Sequence, residues 1–314
     1  MKLSTKLSGR AGHMLGRNRE TIELSVIILP YVLLLVIFCY LPMAGAVIAF
    51  KNYNPNLGIW GSQWVGFENF KFFFQSIDAR RILRNTILYG IAIQIIGTIL
   101  QVGLAVLMYN VNSKKALKYY QTTIILPNFL SWVLVAFIAY AMLNPVSGYL
   151  NRLLAMFGME GRDWYSQTKY WPFILIITES WKHVGMNALM YYAALMGIDE
   201  SLFEAAKLDG ANKRQIITNI MIPEISSVIC ILLILGVGNL VKGDFGLFYQ
   251  IPMNIGSLYP ATDVISTYVF RGLSQTSAMG QSSAVGLFQS VTTLILTILA
   301  NEAVKKIDYD CRLF

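Results

Sequence analysis

The chain is predicted to be an all-α integral membrane protein, and three features of its sequence predict it. Of its 314 residues, 55% are hydrophobic and only 13% are charged, with a mean hydropathy of +0.54. That is too apolar and too sparsely charged for a soluble globular protein of this length. The apolar residues gather into six runs, covering 24–50, 85–108, 120–143, 172–196, 225–240 and 280–300, each near the roughly 20 residues that cross about 30 Å of hydrocarbon. The cations sit in short segments between the runs, not on one basic face. The net charge of +8 therefore reads as helix orientation and not as nucleic-acid binding.

The first run is long, follows a polar stretch and lacks a small-residue cleavage site, so it is expected to remain as an anchor behind a basic tail, residues 1–23. In the fifth run Gly236 and Gly238 precede Lys242 and predict a helix that frays or bends inside the membrane. Such a bend is tolerated only against protein or a watery cavity. Cys39, Cys230 and Cys311 are far apart, form neither a metal spacing nor a paired framework, and read as small hydrophobes.

With a cytoplasmic N-terminus, the inner segments carry Lys2, Lys6, Arg10, Arg17 and Arg19, then Lys114, Lys115 and Lys118, then Lys207, Lys213 and Arg214, and finally Lys305, Lys306 and Arg312. The longer outer segments are poorer in cations, although Lys51, Lys71, Arg80, Arg81 and Arg84 share the first outer loop. The bias places both termini inside, around a membrane domain of residues 24–304 and a C-terminal tail of 305–314.

One polar stretch, residues 197–224, interrupts the apolar pattern between the fourth and fifth runs. Ser201 and Glu204 form a Ser-x-x-Glu capping box, with Asp199 as a competing cap. Ala205 and Ala206 make a small-residue surface, and Gly210 after Asp209 suits the left-handed end of a first helix. Ile216, Ile217, Ile220 and Met221 recur at helical spacing opposite Lys213, Arg214 and Gln215, until Pro223 ends the second helix. Two readings fit: a docking surface for a soluble protein, or an amphipathic pair lying on lipid.

Polar groups within the runs are the other candidates, because charge at the bilayer centre is costly. Glu179 and Lys182 lie three apart and are expected to pair, either as scaffold or as the wall of a path with Trp181 and Asn187. Asn239, Lys242, Asp244 and Phe245 repeat the mixture at the end of the fifth run. Charged or amide groups beside aromatic rings suit sugars, which present hydroxyls and an apolar face. His13 and His183 each read as lone, structural histidines without metal-ligand spacing. There is no G-x-x-x-x-G-K-[ST] sequence and no dinucleotide fingerprint, so the chain is expected to hold no cofactor and to catalyse nothing itself.

Glu204-Ala205-Ala206, Asp209-Gly210-Ala211, Ile220 and Ile222-Pro223 resemble the EAA loop of permease subunits of binding-protein-dependent ABC importers. Trp64-Val65-Gly66-Phe67-Glu68-Asn69-Phe70, and Trp181-Lys182 with Gly185, Asn187 and Tyr191-Tyr192-Ala193-Ala194-Leu195, resemble the carbohydrate-importer branch. Leu29-Pro30, Tyr40-Leu41-Pro42 and Phe50-Lys51-Asn52-Tyr53 are similar to the subgroup importing complex or acidic oligosaccharides. The resemblance implies a six-helix type I permease in a bacterial cell membrane, working with a second permease, two ATPases that bind ATP and Mg, and an extracytoplasmic sugar-binding protein. It also implies that Glu204, Ala205, Ala206, Asp209, Gly210, Ala211, Arg214 and Pro223 face the ATPase. Arg214 and Ile217 stand where many relatives have an aromatic residue, and Glu200 where proline is frequent. The outer cations are able to attract uronate chains, and those of the first outer loop equally an acidic rim on the delivering protein. The alternative, an ion-coupled secondary transporter, needs an inverted repeat and buried carboxylates, of which only Glu179 is found.

Overall fold

A computed structural model describes residues 24–274 and 279–307 of the chain. The tail before Leu24, with His13, and the end with Cys311 and Arg312 lie outside the described residues. Cys39 and Cys230 are free thiols, as expected of small hydrophobes.

Helices appear at all six expected positions, two of them as bent pairs, and among the described residues five of the six are long and apolar enough to cross a membrane when each bent pair is taken as one. Helix α1 (Leu24–Phe50) loosens into a π turn at Val36–Tyr40, beside Pro42, whose missing N–H leaves a carbonyl to be re-paired. A two-stranded hairpin follows, Lys51–Asn52 against Gln63–Trp64. Helix α2 (Ile77–Tyr109) is longer than the expected span because Ser76 caps it early, accepting the Ala79 N–H at 3.1 Å. Its 33 residues reach about 50 Å, so the first turns, with Arg80, Arg81 and Arg84, stand beyond the hydrocarbon.

The third expected span is two helices, α3 (Lys114–Phe129) and α4 (Trp132–Leu143), meeting at 98°. Pro127 removes a donor from the end of α3, and Ser131 begins α4 afresh by accepting the Leu134 N–H at 3.2 Å. The fourth span, α5 (Trp171–Leu195), is continuous and starts on Pro172. After it come α6 (Glu200–Leu208) and α7 (Lys213–Glu224), the latter bent by 59° against α8 (Ser226–Leu240). Here the sequence expectation is corrected: the bend falls at Ile225, just after Pro223, and α8 runs unbroken through Gly236 and Gly238. Gly236 serves close packing instead, since a Cβ there would lie 2.1 Å from Gln94 Oε1. The chain then folds back through residues 244–264 to α9 (Ile265–Leu273) and α10 (Met279–Ile307).

Three apolar clusters hold the bundle. One packs Tyr89, Trp171, Leu175 and Leu247, and another Phe73, Ile82, Ile265 and Val285. The third joins the polar loop to α2 and α5 through Phe203, Met221, Ile225, Tyr191 and Leu195.

Two buried charges organise the polar interior. Lys182 is only 4% exposed and donates to the carbonyls of Asn128 at 2.9 Å and Leu130 at 2.7 Å, with its ammonium 5.3 Å from the Trp132 ring centroid. The expected pairing with Glu179 is therefore overturned: the cation satisfies the backbone freed at the α3–α4 break. Asp263 accepts from Arg271 at 2.7 and 2.8 Å and from Thr267 at 2.7 Å, and Arg81 stands 3.5 Å away. Its backbone is held as well, because Asn85 donates to the Asp263 carbonyl at 3.1 Å and Ile265 N–H to Thr86 at 3.0 Å. Of the cations expected in the first outer loop, two serve the scaffold. Lys51 is buried and donates to Ile59 and Trp60 carbonyls, Arg81 pairs with Asp78 and Asp263, and Lys71, Arg80 and Arg84 remain exposed.

Asp263→Ala leaves the half-buried Arg271 without its carboxylate partner and should cost about 3 kcal/mol, read as a lowered melting temperature of the detergent-purified protein. Lys182→Met strands two carbonyls at roughly 1–3 kcal/mol each. Adding Glu179→Gln should change the melting temperature by no more than it does in the wild-type background, whereas a true ion pair would show a coupling between the two replacements.

Candidate functional site: a capped loop and the polar cavities behind it

The α6–α7 loop is built by local capping. Asp199, not the Ser201–Glu204 box, starts α6, accepting the Ser201 N–H at 2.9 Å. Because the helix begins at Glu200, Ser201 already lies inside its first turn. The same hydrogen bonds from Ser201 hold the Asp199 carboxyl below its ordinary range. Gly210 ends the helix at φ +78°, with Ala211 N–H donating to Ala206 O at 2.9 Å and Gly210 N–H to Lys207 O at 3.1 Å, the paired bonds of a Schellman end. A reciprocal box between Asn212 and Gln215 then opens α7, at 3.0 and 2.8 Å. Its Asn-x-x-Gln pattern stands in the sequence and escaped notice there.

Phe203 is buried with its ring 5.7 Å from that of Tyr109, and with Met221 it anchors the pair to the bundle. Glu204, Ala205, Asp209 and Arg214 consequently face outward, beside Leu208 at 89% exposure. A cleft of about 280 Å³ runs between the helices, lined by Ala206, Asp209, Gly210 and Ala211. Pro223 sits at the α7–α8 bend, away from that cleft.

Behind the loop lie two cavities. The larger, about 700 Å³, is lined by Gln94, Glu179, Asn239, Lys242, Asp244 and Phe245. The smaller, about 300 Å³, shares Gln94, Glu179 and Asn239 and adds Thr98, Gln101, His183 and Asn187 towards the loop end. Phe245 stacks on Tyr249, with ring centroids 4.8 Å apart, and both rings meet Phe270 at 4.6 and 5.0 Å. Of the residues expected on the path, six line these cavities. Lys182 turns away to the α3–α4 break, and Trp181 joins Phe173 and Ile177 in an outward-facing row. The sequence reading missed Gln94, Thr98 and Gln101, although their spacing of four and three within an apolar run marks one polar helix face. It also took His183 as lone, whereas Glu179 and Asp244 come within ligating reach of it. Asp244 arrives from beyond α8, a proximity that no local spacing encodes.

Residues 101–307 match the family model of the "Binding-protein-dependent transport system inner membrane component". Protein LplB of Bacillus subtilis (strain 168) is 34% identical over 91% of this chain and 90% of its own. YteP of the same strain, named as a polygalacturonan/rhamnogalacturonan transport system permease protein, is 34% identical over 90% and 88%. A chain of a bacterial alginate ABC transporter, solved with an alginate pentasaccharide-bound periplasmic protein, superposes with a TM-score of 0.84 at 31% identity, covering 92% of this chain and 96% of that one. With the broken spans, the capped loop and the polar cavities behind it, these similarities place the chain in the family of binding-protein-dependent transport system inner membrane components, as a type I ABC permease.

Proposed function

We propose that the chain forms half of the translocation path of an ATP-driven importer of oligosaccharides, of the complex or acidic kind. One observation carries the reading: the two joined cavities bring amide, carboxylate and stacked aromatic groups together, and their walls include α2 and α5, the two helices against which the α6–α7 loop is packed. Aromatic faces with amides beside them suit pyranose rings and their hydroxyls. The names of the pectin-type permease and the alginate transporter support the substrate class. In this reading both termini are cytoplasmic in a bacterial inner membrane. A homologous second permease completes the path, and an extracytoplasmic binding protein delivers the sugar. Two ATPases carrying ATP and Mg receive Glu204, Ala205, Ala206, Asp209, Gly210, Ala211 and Arg214. Nucleotide-driven closure of the ATPases draws the loops together and tilts the helices as a rigid body between inward- and outward-facing states.

In reconstituted vesicles carrying the whole complex, Gly210→Val forces a β-branched residue into the left-handed region at about 1–2 kcal/mol and should lower binding-protein-stimulated ATP hydrolysis roughly 5- to 30-fold. Wild-type hydrolysis in that variant removes the loop from coupling. Asn239→Ala and Phe245→Ala should each slow uptake of oligogalacturonides several-fold with the melting temperature little changed. Full uptake by both variants excludes the cavity as the path.

A further inference from the structure

Three hydrogen-bond acceptors, two from one turn of α5 and one from beyond α8, converge where the two cavities join. Glu179 and His183 lie one turn apart on α5, with Oε1 3.7 Å from Nε2. Asp244 adds a second carboxylate, so that one ligating atom from each of the three lies within 4.8 Å of the others. Donors reach only part of this set. Asp244 accepts the N–H groups of Gly246 and Leu247 at 2.7 and 3.3 Å and the Trp132 Nε1–H at 3.1 Å. His183 Nδ1 lies 2.9 Å from the acceptor Asn128 Oδ1, which assigns the ring proton to Nδ1 and leaves an Nε2 lone pair facing Glu179. Glu179 Oε2 is buried and accepts no hydrogen bond, and Lys182 is committed to the carbonyls of Asn128 and Leu130. An ionised carboxylate facing a second carboxylate and an imidazole lone pair is unfavourable unless a proton or a metal cation sits among them.

We propose that Glu179, His183 and Asp244 bind one divalent metal ion of the manganese or zinc class. One imidazole nitrogen with two carboxylates suits these ions, whereas calcium and magnesium favour all-oxygen sets. Metal–ligand bonds of about 2.1 Å hold two ligand atoms no more than about 4.2 Å apart, so from 4.8 Å the side chains close by less than about an ångström on the ion. Three protein ligands leave positions open toward the cavity, where sugar hydroxyl or carboxylate oxygens are suitable donors. The site goes beyond the transport reading and stands without it.

The test uses the purified, nucleotide-free complex, stripped with chelator, titrated with Mn²⁺ and followed by electron paramagnetic resonance. The wild type should bind one more Mn²⁺ per chain than a Glu179→Gln/Asp244→Asn double variant, with Zn²⁺ displacing it, and each single variant should weaken binding at least tenfold. Glu179→Gln keeps the side-chain shape and removes a buried charge, so its metal-free melting temperature should equal or exceed that of the wild type while its Mn²⁺-induced rise disappears. Equal Mn²⁺ binding by the wild type and the double variant overturns the site. None of these readouts involves sugar uptake, so the site and the transport reading fail separately.

Discussion

A bilayer core offers no water to a stranded N–H or C=O, and the fold depends on how that constraint is met where a span breaks. The α3–α4 turn, at 98°, would expose carbonyls at membrane depth. Lys182 reaches from α5 to bond two of them and lays its charge near the Trp132 ring. The arrangement satisfies a buried cation and a broken backbone together. It also brings Trp132 to Asp244 and Asn128 to His183, so the geometry of the polar path follows from the repair of the broken span.

A second anchor works at the opposite end of the path. Asp263 gathers Arg271, Thr267 and Arg81, while Asn85 and Thr86 hold the adjoining backbone. The segment between α8 and α9 is thereby tied to α2, and Phe245, Tyr249 and Phe270 come together as one aromatic wall. At the other end Phe203, Met221 and Ile225 join the α6–α7 loop to α2 and α5. The loop is thus packed directly onto the helices that carry Gln94 and Glu179. Packed elements of this kind shift as units and do not deform continuously.

The cavity is mixed in charge. Glu179 and Asp244 face Lys242 and a set of amides, and Lys182 is withdrawn from the surface. Attraction of an anionic sugar by this cavity is therefore weak, and a cation held by the acidic pair would reverse that local sign. Of the cations between α1 and the first turns of α2, Lys71, Arg80 and Arg84 are exposed, Arg84 with a hydrogen bond to Asn85, while Lys51 and Arg81 serve the scaffold.

By itself the sequence determined what depends on composition and short-range periodicity. Membrane class, the approximate spans, the left-handed Gly210 and the outward face of Glu204, Ala205 and Asp209 were all legible, because burial pattern and helix ends are set within a few residues. Most of the polar residues that line the cavities were legible too, as polar groups in apolar runs. The tertiary structure alone decided which partner each polar group takes. Glu179 and Lys182 look like a pair at a spacing of three, yet the lysine is claimed by carbonyls 52 and 54 residues away. Gly236 looks like a bend, yet its missing Cβ admits Gln94. His183 looks lone, yet Asp244 arrives beside it. In each case a desolvated polar group or a close contact is satisfied by whatever the packed bundle brings nearest, and that neighbour is set by three-dimensional packing that no local periodicity records.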